Sequence, residues 1–258
     1  MLSSAGRWLT EARTVLERIE QSQMEAISAA AERCAEAISS GGLVHLFGTG
    51  HSRIALEEMF PRYGSYPGFH PIAELSMTFH TQVVGSNGQR QAMFIERTEG
   101  LAEQILANFH FGPADAMIVF SVGGLSAVTL EMAIGARDRG MTVIAVTSLA
   151  ESTAAAPRHP TGTRLADHAD IVIDLCTPVG DAMVTIDGLT SPVGPGSTLA
   201  YAAVVNEIKV QTAEILVGMH RMPPVITSAT VSGPVEAARL FEAAYADHAK
   251  ALARALSP

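Results

Sequence analysis

Leu43-Val44-His45-Leu46-Phe47-Gly48-Thr49-Gly50-His51-Ser52 decides the fold. A short apolar run suited to a buried strand empties into a glycine turn, and a helical pattern begins at Ser52 and reaches about Arg62. Strand, glycine turn and helix N-terminus together make an anion site. Glycine lets backbone approach a ligand closely, and the first helical N–H groups lack intrahelical partners. The construction recurs where Ala116-Met117-Ile118-Val119-Phe120-Ser121 runs into Gly123-Gly124-Leu125-Ser126 and a helix to Arg139. Two such turns in one chain point to a ligand that is small, polar and negatively charged.

Outward from these turns, strands alternate with helices. Phe69 to Leu75 and Gln82 to Ser86 read as a short strand and loops, Gly100 to Phe109 as a helix, and Thr142 to Thr147 and Ile171 to Leu175 as buried strands. Uninterrupted β-branched runs separated by helices indicate a parallel sheet covered on both faces. Ser152 to Asp170 breaks the pattern: Pro157, Pro160 and Gly162, with Arg158, His159 and Arg164, make a long polar connection of the functional kind. A short alternating strand is expected at 183–186, a strong helix from Ser197 to about Val217, and a last helix from Pro234 to Leu256. Residues 3–39 read as one long helix, with Trp8, Leu9, Ala12, Leu16, Ile19, Ala26, Ile27, Ala30, Cys34, Ala37 and Ile38 at three- and four-residue steps and Gly41-Gly42 as its stop. It outruns the sheet, so residues 1–40 are expected to serve oligomerisation, as a homodimer or homotetramer, with residues 41–258 forming the α/β domain and its C-terminal helices.

The 258 residues fit one large domain, and with 48% hydrophobic and only 17% charged residues a core on both faces of a sheet is within reach. A net charge of -9 argues against a nucleic-acid surface, which needs a basic face. It leaves room for a small anion, because local N–H groups and hydroxyls override the global field. Cys34 and Cys176 are too few for a disulfide framework and show no metal-ligand spacing, so free thiols in a reducing compartment are expected. Arg7, Glu11, Arg13, Glu17 and Arg18 interrupt any apolar leader, and the strands are too short to cross a bilayer. A cytoplasmic location without membrane contact is the expectation.

Gly48-x-Gly50 invites a dinucleotide-binding reading, but Arg53 stands where the third glycine belongs, and no acid ends the next strand at the expected spacing. No cofactor is therefore expected. What remains is an anion cradle with hydroxyls: Thr49 and Ser52 in the first turn, Ser121 and Ser126 in the second. Ser52 and Ser126 also suit plain helix caps.

The order FGTGHS, FSVGGLS before a helix, GMTVIAVTS and ADIVIDL resembles the sugar isomerase (SIS) domain from Gly42 to Val217. Within that family, EEMFPRY (57–63) resembles the acidic helix of phosphoheptose isomerases, and RHPTG, GDAMVTIDG and PGST resemble the subgroup designated UPF0309. The resemblance implies a flavodoxin-like three-layer αβα sandwich with a parallel sheet, preceded here by the long N-terminal helix, and a phosphosugar ligand. It places Gly48, Thr49, Gly50, His51, Ser52, Ser121, Gly123, Gly124, Leu125, Ser126 and Ser148 at the substrate. One departure stands out: the family's second turn reads Ser-x-Ser-Gly-x-Ser/Thr, and Gly123 replaces the middle hydroxyl here. The cradle is one hydrogen bond poorer, which a sulfonate would tolerate better than a phosphate dianion.

Aldose–ketose isomerisation moves a proton between C1 and C2 and needs a second group for ring opening and hydroxyl protons. Glu58, on the helix whose N-terminus faces the anion, is the first candidate for the base, and Glu57 fills the place under a one-residue shift. Glu207 and Glu214 share one face of the helix from Ser197 in an otherwise small, apolar run, where burial and raised pKa are expected; the resemblance gives Glu207 the base's position in synthase-type isomerase domains. Glu214 stands where phosphoheptose isomerases carry a catalytic histidine. His51 lies inside the first turn, and His220 resembles a ring-opening histidine. His80 and His159 fall in loops that suit a neighbouring subunit's site, and His45 reads as a core residue. No spacing suggests a metal. The expectation is an aldose–ketose isomerase of a small anionic sugar. Its rivals are an isomerase of a sulfonated hexose, a sugar-phosphate lyase or etherase, and a non-catalytic sugar-phosphate-binding regulator.

Overall fold

The computed structural model describes residues 2–78 and 88–257. Strands β1 (Val44–Gly48), β2 (Phe69–Ile72), β3 (Ala116–Phe120), β4 (Thr142–Thr147) and β5 (Ile171–Asp174) form one five-stranded sheet in the order β2-β1-β3-β4-β5. All its pairings are parallel, with Val44 opposite Phe69 and Ala116, and Ala116 opposite Thr142. The chain leaves β1 toward one edge and returns to start β3 on the other side, so the order reverses between β1 and β3. Beside the sheet, β6 (Ala182–Val184) and β7 (Val193–Pro195) pair as an antiparallel hairpin.

Ten α-helices lie among the described residues, beside three short 3-10 turns: α1 (Arg7–Ser22), α2 (Met24–Ser39), α3 (Arg53–Met59), α4 (Gln89–Ile95), α5 (Leu101–Leu106), α6 (Ala127–Asp138), α7 (Leu149–Ala154), α8 (Ser197–Gly218), α9 (Ala229–Ser232) and α10 (Pro234–Ala255). Alternation along each strand divides the core in two. Val44, Leu46, Ala116, Ile118, Phe120, Ile144 and Val146 pack with residues of α1, α2, α3 and α8. Phe47, Met117, Val119, Val143 and Ala145 pack with residues of α5 and α6 on the other face. This is the three-layer αβα sandwich expected from the sequence.

The differences have identifiable physical settings. The single helix expected over 3–39 is two, interrupted at Gln23, whose side-chain oxygen accepts the backbone N–H of Asp174 at 2.9 Å. α1 buries Ala12, Val15 and Ile19 but leaves Leu9 and Leu16 exposed. Its Trp8 indole donates to the Pro195 carbonyl at 3.2 Å and so holds the hairpin. The first turn's helix stops at Met59 rather than Arg62, because Pro61 drives Phe60 to ψ 146°. Helices α4 and α7 and strand β7 were not legible as such, and the expected loop or strand at Gln82 to Ser86 lies outside the described residues, as does His80. Among the described residues, no helix is long and apolar enough to cross a membrane.

Candidate functional site

The two glycine turns leave the C-terminal ends of neighbouring strands at the point where strand order reverses, the place where open parallel sheets bind ligands. From Gly48 the backbone passes through a single tight turn, Gly50–Ser52, into α3. A side chain at Gly48 would place its Cβ 3.0 Å from the Ser52 carbonyl, so that glycine lets the turn fold back on the strand. From β3 the chain turns through Gly124 at φ 60°, where its N–H donates to Ser121 Oγ at 3.2 Å, and enters α6.

Between the turns lies a cleft of about 630 Å³ lined by Thr49, Gly50, His51, Ser52, Ser121, Gly123, Gly124, Leu125 and Ser126. Of the residues expected at the substrate, Gly48 lies under its turn and Ser148 lies away from the lining. Ser148 is fully buried, donates to the Thr177 carbonyl at 3.1 Å and accepts the Glu151 N–H as the cap of α7. Ser52 reaches the cleft while its hydroxyl lies 3.2 Å from that of buried Tyr201.

The carboxylates expected to move protons are placed elsewhere. Glu58 accepts from Arg62 at 2.6 Å and Asn206 at 3.0 Å, and Lys209 sits 3.8 Å away. Partial burial pushes its carboxyl up, but the Asn206 hydrogen bond and the charges of Lys209 and Arg62 outweigh it and hold it below the ordinary range. Glu207 is half-buried and accepts from Gln211 at 2.9 Å, and Glu214 is exposed rather than buried. His220 is exposed beyond the end of α8 at φ 54°. Glu58, Glu207 and His220 do not line the cleft of their own chain, and His51 does.

Glu96, which sequence reasoning passed over, does. Its Oε2 accepts the Thr49 hydroxyl at 2.7 Å, and its backbone carbonyl accepts the Val128 N–H at 3.1 Å in the first turn of α6. One residue is thus fastened to both glycine turns. Burial pushes its carboxyl up, and the Thr49 hydrogen bond with the charges of Arg97 and Arg158 only partly restores it. Arg97, Glu99, Glu151, Arg158, His159, Asp181 and the hairpin's Pro195 complete much of the wall. Asp181, at φ 64°, accepts the Ser197 N–H at 2.7 Å and the Ser197 hydroxyl at 2.6 Å and so fixes the start of α8 against the cleft. Among the described residues, no group of three or more His, Cys, Asp or Glu is arranged to hold a metal.

A parallel sheet in this order with paired glycine turns at its switch point defines a class, and sequence comparison gives the family. Residues 7–148 match the SIS domain. The chain is 34% identical to a UPF0309 protein of Streptomyces coelicolor over 89% of its length and 90% of that protein's, and 34% identical to one of Listeria monocytogenes over 90% of each. The chain belongs to the SIS domain family and, within it, to the UPF0309 group. Two solved structures share the fold at low identity. They are a phosphoheptose isomerase from Francisella tularensis (TM-score 0.53, 16% identical, 83% of this chain and 100% of that one) and one from Neisseria gonorrhoeae (0.51, 15%, 80% and 95%).

Proposed function

We propose that the cleft takes a small sugar with an anionic terminus and interconverts its aldose and ketose forms through an enediol. The observation that carries this reading is Glu96, a carboxylate made more basic by burial and pinned between two backbone turns suited to an anion. With the anion at the turns, the ionised Glu96 takes the proton from the carbon next to the aldehyde. The electron pair forms the enediol C=C bond, and the carbonyl oxygen gains a proton. His51 moves the hydroxyl protons, and Glu96 returns its proton to the former aldehyde carbon. One carbon is oxidised and its neighbour reduced, so no redox cofactor enters. The phosphoheptose isomerases with the same fold act on a sugar by name, in keeping with this assignment.

Exposed Leu9 and Leu16 on α1 belong, on this reading, to a face joining two copies of the chain. Leu16→Glu should then lower the molar mass measured by light scattering.

The test is solvent exchange. In D₂O with a panel of sugar phosphates and sulfonated sugars, the wild-type chain should wash deuterium into the carbon beside the carbonyl of its substrate and release the isomer. Exchange with loss of a substituent identifies a lyase, and saturable binding without exchange identifies a regulator. Glu58→Gln and Glu207→Gln should keep exchange that Glu96→Gln loses, and the reverse pattern moves the base to the lost residue.

A further inference from the structure

The polar connection from Ser152 to Asp170 is fastened at three places. Arg164 donates from Nε to the Ser152 carbonyl at 2.9 Å and from Nη2 to the Ala155 carbonyl at 3.0 Å, closing the loop on its own start. Leu165 N–H donates to the Gly124 carbonyl at 3.0 Å, which ties the loop to the second glycine turn. His159 Nε2 lies 3.2 Å from Glu131 Oε1 on α6, and the same carboxylate takes the Gly100 N–H on both oxygens, at 3.0 and 2.9 Å.

Hydrogen-bond chemistry gives this last anchor a direction. The Thr161 N–H donates to His159 Nδ1 at 3.3 Å, so that nitrogen accepts and the ring's N–H is on Nε2, directed at the Glu131 carboxylate. The Thr161 hydroxyl, 2.9 Å from that Nδ1, therefore donates to it. Thr163 Oγ1 then donates to Thr161 at 2.7 Å, and His168 Nε2 donates to Thr163 at 2.7 Å. The chain from His168 to Glu131 runs one way. Both nitrogens of His159 are spent on holding the loop, so it positions its neighbour and is not itself a proton carrier.

That neighbour is Arg158, set between Pro157 and His159-Pro160. It is exposed, lines the cleft, makes no hydrogen bond or ion pair to another described residue, and lies near enough for its charge to act on Glu96. Arg97, the second guanidinium on the cleft, shares Glu96 with Arg158 and has a further acid, Glu99, two residues on in sequence. We propose that Arg158 is the residue that selects the substrate's anionic terminus, a guanidinium fork on the same cleft as the glycine turns, with its backbone anchored next door by the Glu131–His159 pair. This rests on the reading of the cleft as an anion site. The class it fits is a group presenting two or more equivalent oxygens, a phosphate or a sulfonate.

The probe is inorganic phosphate, titrated calorimetrically at low ionic strength. Arg158→Ala should weaken phosphate binding by on the order of 10- to 100-fold. Arg158→Lys, which keeps the charge and loses the fork, should fall between. Arg97→Ala should change it by less than about threefold. Glu131→Gln should weaken binding severalfold when Arg158 is present and have no effect in the Arg158→Ala background, whereas a general loosening of the cleft would weaken both. If the wild type binds phosphate and Arg158→Ala binds it equally well, or Arg97→Ala takes the larger loss, the assignment of Arg158 is overturned and the anion site survives. A wild type that binds no phosphate overturns both.

Discussion

The two ends of the sheet are built from the same kinds of side chain and put them to opposite uses. At the end where the strands begin, His45 and His70 are buried with their Nδ1 atoms 2.9 Å apart, and His45 Nε2 lies 3.3 Å from Asp115. Asp115 also takes the N–H groups of Leu43 and Gly112, both at 2.7 Å, and Phe109 and Phe111 box the rings edge-on. At the end where the strands finish, Glu96, Arg158 and His51 face an open cleft. An imidazole or carboxylate is therefore not a functional signal by type. What distinguishes the ends is whether the groups are sealed in the interior or line a cleft that a ligand can enter.

The widest separation should come from paired substitutions. Glu96→Gln should slow solvent exchange by about 10²- to 10⁴-fold, the contribution of a general base, without lowering the thermal midpoint, because a buried neutral amide is no costlier than a buried carboxylate. Asp115→Ala should do the converse. It strands two N–H groups and His45 in the interior and should cost about 3 kcal/mol of stability by denaturant titration. Phosphate affinity below the transition should stay as in the wild type. A variant that moved both readouts would erase the division between the two ends.

Acid should attack the sealed end first. Burial, with the neighbouring His45 and His248, pushes His70 from 6.5 down to about 4. The unfolded chain then binds the proton more readily than the folded one. The contribution is whole above the unfolded value and lost as pH falls from 6.5 toward 4, by up to ~3 kcal/mol. His70→Asn should flatten that decline in melts run across the interval, and an unchanged slope would assign the acid sensitivity elsewhere. At the cleft the sign concerns rate. Exchange should rise with pH on a limb set by Glu96, displaced above an ordinary carboxylate by burial. Thr49→Val removes a hydrogen bond that favours the ionised form, so the limb should move to higher pH, while Thr49→Ser should leave it in place.

Legibility in the sequence follows the same division. The strands and both glycine turns were readable because their signals are local: apolar runs ended by glycine, with helical periods after them. His45 was readable as core because it sits inside such a run. Glu96 was not, since Ile95-Glu96-Arg97-Thr98-Glu99 looks like a solvated charge run. Its role depends on Thr49, 47 residues away, and on Val128. Glu58 and Glu207 looked apt because they sit on helices close to the expected ligand, but helical position does not say which way a carboxylate is drawn. Lys209, Asn206 and Gln211 decide that. The break at Gln23 escaped for the same reason, as the partner of its side chain is on β5, 151 residues away.

The smallest effect separates two neighbouring glycines of the second turn. At Gly124 the backbone is left-handed, φ 60°, and a Cβ would come within 3.1 Å of Leu165 Cβ, so Gly124→Ala should cost about 1–2 kcal/mol of stability. Gly123 carries no such constraint: its Cβ would meet only Glu151 Cγ, at an ordinary 3.7 Å. The missing hydroxyl is therefore not excluded by space. Gly123→Ser should fold as the wild type does and add one donor to the cradle, tightening inorganic phosphate by up to about tenfold. Sulfate, a weaker acceptor, should gain less. Equal gains would mean that the hydroxyl reads charge alone. A loss for both would mean that the nearby Glu151 carboxylate claims the new donor, leaving Gly123 as the residue that keeps this turn open.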